Sequence, residues 1–187
     1  MKKIFYALQI MICVVLISSC EKENQNLSVP KPQPAFKIGE SHGGGIVFYV
    51  DESGQHGLVT STINQSTSMR WFNGSFIETA ATGIKTGTGS KNTEAIITAH
   101  GVGVYAASIC DKLELNGYND WFLPSKDELN LLYMQKAAGV IGDFENDFYW
   151  SSTENSYNGA WSQSFSNGAN SSANKDGAYD VRAIRAF

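Results

Sequence analysis

The sequence predicts an α+β domain with an early β-hairpin, two main helices and a late antiparallel sheet. Two runs of β-forming residues, 46–50 and 57–60, flank a turn segment and indicate the hairpin. Apolar residues at helical spacing follow in 92–113 and 126–133. Apolar and polar residues alternate in 160–165, as in a half-exposed strand. A hairpin, then helices, then strands is typical of the α+β class.

The first helical segment, from about residue 92 to 113, carries an internal interruption. Gly101 and Gly103 each cost about 1 kcal/mol inside a helix, so we expect a break there. Cys110 lies on the apolar stripe of this segment. It is therefore predicted to be a buried, inert thiol rather than a nucleophile.

The second helix has the clearest local signal in the chain. Residues 121–123 predict a short strand that Pro124 ends. Ser125 is then an N-cap, and Glu128, three residues later, completes a capping box. A helix is expected from Lys126.

The remaining segments are predicted from composition. Segment 61–90 is rich in Gly, Thr, Ser and Asn and is expected to be mostly irregular. Arg182 and Arg185, in the terminal strand, are expected to pair with carboxylates. The late strands are predicted at 148–152, 160–165 and 181–187, joined by loops at 154–159 and 167–180.

The N-terminus is typical of a bacterial lipoprotein. Lys2 and Lys3 precede an apolar run of about 14 residues, which is shorter than the roughly 20 needed to span a bilayer. The run ends in Leu-Ile-Ser-Ser-Cys, which resembles a lipobox. Residues 1–19 are therefore predicted to be a signal peptide, with Cys20 carrying fatty acyl chains such as palmitate as a membrane anchor.

A polar segment separates the anchor from the folded part. Residues 20–38 contain three prolines and no apolar periodicity, which predicts a flexible tether; the domain proper is expected at 39–187. The charged residues 21–23 directly after Cys20 favour an outer-membrane lipoprotein displayed on the cell surface. The periplasmic face is the alternative.

The charge balance excludes one class of partner. The chain has a formal net charge of −4, and without Lys2 and Lys3 the 12 remaining basic residues stand against 18 acidic ones. No basic tract is present, so a nucleic-acid partner is not expected. With only Cys110 left in the domain, no intramolecular disulfide is expected either.

Four motifs follow one another in the chain: 44–50 with 54–59, then 120–129, then 149–154, and finally 181–185. Together they resemble the bacterial Lcl C-terminal domain family over residues 39–187. The resemblance implies a C-type-lectin-like fold, exposure on the bacterial surface and, as in the collagen-like adhesin that gives the family its name, binding of sulfated polysaccharides and trimerisation.

No catalytic constellation accompanies these motifs in the sequence. The three histidines, His42, His56 and His100, are scattered, and neither metal-ligand spacing nor a nucleophile elbow is present. The protein is therefore predicted not to be an enzyme. Glu154 and Asp176 carry oxygen ligands suited to Ca²⁺, but no calcium motif surrounds them, so no cofactor is predicted.

Glycan capture is the leading functional hypothesis. Aromatic faces and amide side chains hold sugars, and the late loops carry both. A neutral glycan suits the acidic chain better than a sulfated one. The alternatives are a structural or assembly protein that binds an envelope or host-surface protein, and an enzyme with an unrecognised site. The candidate ligand-binding residues are Asn155, Tyr157, Asn158, Trp161, Asn170 and Asn174.

Overall fold

The structure is a computed structural model that describes residues 36–187. The predicted signal peptide, Cys20 and the predicted tether up to residue 35 lie outside the described residues. No helix in the described part of the chain is long and apolar enough to cross a membrane. The elements are β1 (Ser41–His42), β2 (Gly45–Val50), β3 (Gly57–Thr60), β4 (Ser66–Met69), α1 (Gly89–His100), α2 (Ala106–Asp111), α3 (Lys126–Ala137), β5 (Phe148–Ser156), β6 (Gly159–Ser164), β7 (Asn170–Asn174), β8 (Tyr179–Val181) and β9 (Ile184–Ala186).

The first sheet has the order β1-β2-β3-β9, and all its pairs are antiparallel. Its centre is the predicted hairpin of β2 and β3, which is confirmed. Asp51 Oδ1 accepts from the backbone N–H groups of Ser53 (3.0 Å) and Gly54 (3.1 Å), and Gly54 has a φ of 74°. This is turn chemistry in which glycine supplies the left-handed conformation.

The break in the first helical segment is also confirmed. α1 ends at His100, Gly101 has a φ of 67°, and α2 begins at Ala106. α1 starts at Gly89, before the predicted residue 92. A Cβ at Gly89 would clash with the carboxylate of Glu128, so only glycine allows this close packing.

α3 has the predicted cap. The Ser125 backbone N–H donates to Glu128 Oε2 at 2.7 Å, and Ser125 Oγ accepts from the Glu128 N–H at 3.4 Å. Burial raises the pKa of Glu128, although hydrogen bonds from Ser125 and Gly87 act in the opposite direction. The capping box therefore lies inside the protein, where it also binds the segment before α1 through Gly87 N–H (2.7 Å).

The second sheet, in the order β4-β8-β5-β6-β7, differs from the predicted antiparallel sheet. β5 and β8 are parallel, with Tyr149 opposite Asp180, so the sheet is mixed. β4 lies in the segment expected to be irregular, and β7 in an expected loop. β7 is rich in Asn and Ser, which have low strand propensity, and its pairing with β6 overrides that preference.

The predicted terminal strand is divided between the two sheets. β8 belongs to the second sheet and β9 to the first, and the chain crosses between them at Arg182 and Ala183. The buried Arg182 guanidinium donates to Ser61 O and Asn64 Oδ1, each at 2.8 Å. It forms no ion pair with any described residue, so the prediction of a carboxylate partner for Arg182 was wrong. The prediction for Arg185 is confirmed, since Arg185 pairs with Asp120.

Residues 121–123 do not form a full strand. Phe122 and Ile184 exchange two backbone hydrogen bonds (2.8 and 3.0 Å) as an isolated antiparallel bridge. This single pair connects the start of α3 to the first sheet.

Two apolar clusters fill the interior. Cys110 is buried in the first, and burial raises the pKa of its thiol, as expected for an inert cysteine. Helices and two sheets around these clusters confirm the predicted α+β class. The largest members are Trp71, Trp121, Trp150 and Tyr105 in the first cluster, and Phe48, Phe122, Phe165 and Tyr149 in the second.

Ser125→Ala should lower the free energy of unfolding by about 1 kcal/mol, because it removes the acceptor for the Glu128 N–H. Urea denaturation measures the change. Ser75→Ala, at an exposed loop serine, is the control and should stay within about 0.5 kcal/mol of wild type. Equal effects of the two substitutions would contradict the role of the cap.

Candidate functional site

Most of the predicted ligand-binding residues meet at the turn between β5 and β6. Asn155 lies near the end of β5, and Tyr157 and Asn158 form the turn. Asn174 joins them because it pairs with Gly159 across the sheet. All four are exposed. We call Asn155, Tyr157, Asn158 and Asn174 the turn site.

The other two predicted residues lie elsewhere. Trp161 is half-buried in β6, and Lys126 Nζ lies 3.7 Å from its ring centroid, so one face of the indole is occupied. Asn170 pairs with Gln163 at the opposite end of β7. At roughly 3.3 Å per strand residue, it is about 13 Å from Asn174.

A buried ion pair lies directly beneath the turn site. The Lys175 and Glu154 side chains are 0% and 5% exposed and are hydrogen-bonded to each other. Lys175 Nζ also donates to Ile77 O and Tyr157 O, both at 2.9 Å. These three bonds use all three ammonium donors, so the buried charge is fully satisfied.

The Glu154 carboxylate is equally well partnered. The Thr79 backbone N–H lies 2.9 Å from Glu154 Oε2 and 3.2 Å from Oε1. Glu154 carries oxygen atoms suited to Ca²⁺, for which no site is predicted, and these oxygens face Lys175 and Thr79. Among the described residues, no group of three or more His, Cys, Asp or Glu side chains is arranged to hold a metal ion.

No local sequence pattern indicates this pair. Lys175 and Glu154 are 21 residues apart, so no local spacing connects them. Lys175 directly follows β7, at a position whose backbone N–H bonds to Asn158 O at 2.9 Å. Had β7 been recognised as a strand, its alternation would have placed Lys175 toward the core.

A shallow depression of about 470 Å³ opens beside the turn site. Ala80 contributes to it with a φ of 61°, a left-handed conformation that is uncommon for alanine. Backbone of this kind costs of order 1–3 kcal/mol and is often found at binding sites. The lining residues are Glu78, Ala80, Thr82, Glu154, Asn155 and Ser156.

Tyr157 is the exposed aromatic residue of the turn site. Its side chain is 56% exposed, and its ring centroid lies 6.2 Å from that of Phe76. Phe76 in turn stacks on Phe72 at 4.8 Å. Because Lys175 holds the Tyr157 carbonyl, the backbone that carries this ring is fixed from below.

His100 lies on the inner side of the same region, with its ring centroid 5.6 Å from that of Tyr105 and 6.2 Å from that of Trp71. Its buried Nε2 forms no hydrogen bond within the described part of the chain. Burial, and then the positive charge of Lys175, lower the pKa of His100. Both effects favour the neutral form of the imidazole.

Taken together, the described residues form a mixed α+β domain with an exposed polar and aromatic site on a rigid turn. The chain belongs to the Lcl C-terminal domain family, whose signature matches residues 60–185. The resemblance seen in the sequence is thereby confirmed, although the motif at 44–59 precedes the matched region. No curated protein matches the sequence.

The fold is similar to that of a solved structure, the crystal structure of a fimbrial protein from Bacteroides ovatus. The TM-score is 0.50 and the sequence identity 17%, so the likeness concerns the fold alone. The match covers 84% of this chain and 45% of the fimbrial protein, so this chain corresponds to less than half of that protein.

Lys175→Met should lower the free energy of unfolding by about 3–5 kcal/mol, because it leaves the buried Glu154 charge without its partner. Urea denaturation measures the loss. Lys85→Met is the control, since Lys85 forms an exposed pair with Asp127 at 3.9 Å, and should change stability by less than about 1 kcal/mol.

A second variant tests whether the loss comes from the orphaned charge. Adding Glu154→Gln to Lys175→Met removes that charge and should restore part of the lost stability. A double variant less stable than Lys175→Met alone would contradict this explanation.

His100 should make stability depend on pH. Its folded pKa is lowered, so its contribution is fully present above the unfolded value near 6.5 and is lost as the pH falls toward the folded pKa. His100→Phe should flatten this part of the profile, measured by urea denaturation between about pH 8 and 5. His56→Gln, at an exposed histidine, should keep the wild-type slope. Identical slopes in wild type and His100→Phe would refute the assignment.

Proposed function

We propose that this protein is a non-catalytic binding module of the bacterial cell surface, of the adhesion type, whose turn site captures a neutral glycan. The observation that carries the proposal is the exposed Tyr157 ring, with the amide side chains of Asn155, Asn158 and Asn174 grouped at the same turn. An aromatic face and several amides together offer what a sugar ring needs.

The chemistry of these groups supports a carbohydrate ligand. One face of a sugar ring is a patch of C–H groups, which packs on an aromatic ring. Its rim carries hydroxyl groups, each both a donor and an acceptor. An asparagine amide also offers both functions in one plane, so it can bind two neighbouring hydroxyls at once.

The rigidity of the turn supports binding as well. The Tyr157 carbonyl is bonded to Lys175, and the adjacent carboxylate of Glu154 is bonded to Lys175 and Thr79. A ligand that meets a fixed surface pays little for ordering it. The depression lined by Glu78 and Ala80 gives room for a second sugar unit beside the turn.

Local charge favours a neutral ligand over a sulfated one. Glu78 and Asp176 are exposed near the turn, whereas Lys175 is buried and already paired. The whole chain carries a formal net charge of −4. A polyanion would be repelled by such a surface.

The cellular placement is part of the proposal. Family membership and the fold shared with a fimbrial protein support an envelope protein of the surface type. The lipobox-like sequence supports anchoring through acylated Cys20 in the outer membrane, with the domain facing outward. The C-type-lectin-like fold implied by the family belongs to the same proposal.

A protein partner is the second candidate, and a different surface supports it. Val102 and Val104, in the loop between α1 and α2, are 95% and 72% exposed. Asn73 holds this loop by donating to His100 O (3.1 Å) and Val102 O (3.0 Å). Two apolar side chains on a fixed loop suit an assembly contact better than a sugar.

Tyr157→Ala should weaken glycan binding about tenfold, which corresponds to roughly 1.4 kcal/mol of lost contact between ring and sugar. The labelled full chain in detergent solution is first screened on an array of neutral and sulfated glycans. Titration of the best neutral hit then compares the variants. Tyr118→Ala, which removes an exposed ring that contacts Arg185, is the matched control and should bind like wild type.

Three outcomes would count against this proposal. Binding confined to sulfated glycans would contradict the charge argument. Equal losses of glycan affinity in Tyr157→Ala and Tyr118→Ala would show that the glycan does not bind at the turn site. If no glycan on the array bound and the chain captured an envelope protein, with Val102→Ser abolishing that capture, the protein-partner function would be favoured. A chelator should leave glycan binding unchanged, because no metal is part of the proposed site.

A further inference from the structure

β7 is an edge strand without the usual protection against pairing. It ends the order β4-β8-β5-β6-β7, and it pairs with β6 over all five of its residues with no register shift. Asn170–Asn174 contains neither a charged residue nor proline. Charges, prolines, bulges or short length normally protect such an edge.

The other sheet edges in the described residues carry such protection. β1 has two residues, and β9 has three, one of them Arg185. β4 is interrupted by a register shift in its pairing with β8. β7 is therefore the exposed edge on which another strand could be added most readily.

The hydrogen bonds of β7 show which groups are available. Ser164 N–H donates to Ala169 O at 2.9 Å, and Lys175 N–H donates to Asn158 O at 2.9 Å. By the alternation of an antiparallel ladder, the odd-numbered residues of β7 bond to β6 and the even-numbered ones face outward. Asn170, Ser172 and Asn174 therefore carry the outward backbone groups, and of these Asn174 O already accepts from the Gly177 N–H at 2.9 Å.

The strand is also complementary to itself. In a two-fold antiparallel pair centred on Ser172, Asn170 would lie opposite Asn174 of the second copy and Ser172 opposite its own counterpart. Polar hydrogen-bonding side chains then face each other and no like charges meet. This matters because two copies of a chain with a net charge of −4 repel each other overall.

We propose that two copies of this chain pair antiparallel through β7, with the two-fold axis at Ser172, so that their five-stranded sheets become one continuous sheet. Ser172 and its counterpart exchange both of their N–H···O bonds, and the Asn174 N–H donates to Asn170 O of the second copy, since Asn174 O is already bonded to the Gly177 N–H. A contact of this kind is closed by its own symmetry, so it produces a dimer and not the trimer expected from the family resemblance.

The dimer does not depend on the glycan proposal, but it would change how a multivalent glycan binds. Asn174 belongs to both β7 and the turn site, so the pairing brings two turn sites onto one sheet. A multivalent glycan could then bind both, and its apparent affinity would rise without any new contact to sugar.

The first test uses charge at the axis. Ser172→Lys and Ser172→Glu each place two like charges directly opposite each other and should abolish dimers of the full chain in detergent solution. An equimolar mixture of the two variants should restore a one-to-one dimer, because opposite charges then face each other. Light scattering after size exclusion measures the mass over a range of protein concentrations.

The second test uses a covalent link. The two Ser172 Cα atoms would lie about 5.5 Å apart in a hydrogen-bonded antiparallel pair, which a disulfide can span. Ser172→Cys in the full chain should yield a covalent dimer on mild oxidation. Ser166→Cys, at an exposed serine outside β7, should not.

Several results would overturn the proposal. They are a wild-type chain that stays monomeric at millimolar concentration, a trimeric mass, and charge variants that dimerise alone as well as they do together. Glycan binding by monomeric Ser172→Lys would leave the proposed function intact, so the two proposals can fail separately.

Discussion

The buried pair of Lys175 and Glu154 is the constraint on which the second sheet and its turn depend. It joins three segments that are distant in the sequence: residues 77–79, the end of β5 with its turn, and the residue after β7. Removing two charges from water is expensive, so the pair is tolerable only because its donors and acceptors are all used. Its value lies in selecting one arrangement of these segments, since a displaced partner would leave a buried charge alone.

Buried carboxylates of this kind explain why the irregular, glycine-rich segment before α1 has a defined conformation. The stretch before α1 has little regular structure, yet Thr79 is fixed on Glu154 and Gly87 on Glu128. Each carboxylate is buried and accepts backbone N–H groups from that stretch. The two glutamates thus accept the backbone hydrogen bonds that a neighbouring strand would otherwise accept. Ala80, in the left-handed conformation, lies between the two bonded residues.

Local signals in the sequence predicted local structure well, and distant pairings remained out of reach. The capping box at Ser125, the break at Gly101 and the hairpin after β2 depend on residues within a few positions of one another. β7, with its Asn and Ser residues, becomes a strand only because β6 is beside it. The same reason limited prediction of the candidate site. Composition indicates the turn residues, whereas the role of Lys175 follows only from the position of β7. That Lys126 covers the Trp161 ring is likewise visible only in the fold.

The polar composition of the late segments has one physical consequence for both proposals. Asn and Ser on the exposed strand β7 leave this edge hydrated yet uncharged, in a chain with a formal net charge of −4. A second copy therefore meets little electrostatic repulsion at this edge. Because Asn174 ends the edge strand and also belongs to the turn site, the two functions share a boundary residue. Glycan binding at the turn site and dimerisation through β7 would then occur side by side. The buried pair of Lys175 and Glu154 would fix the position of both surfaces.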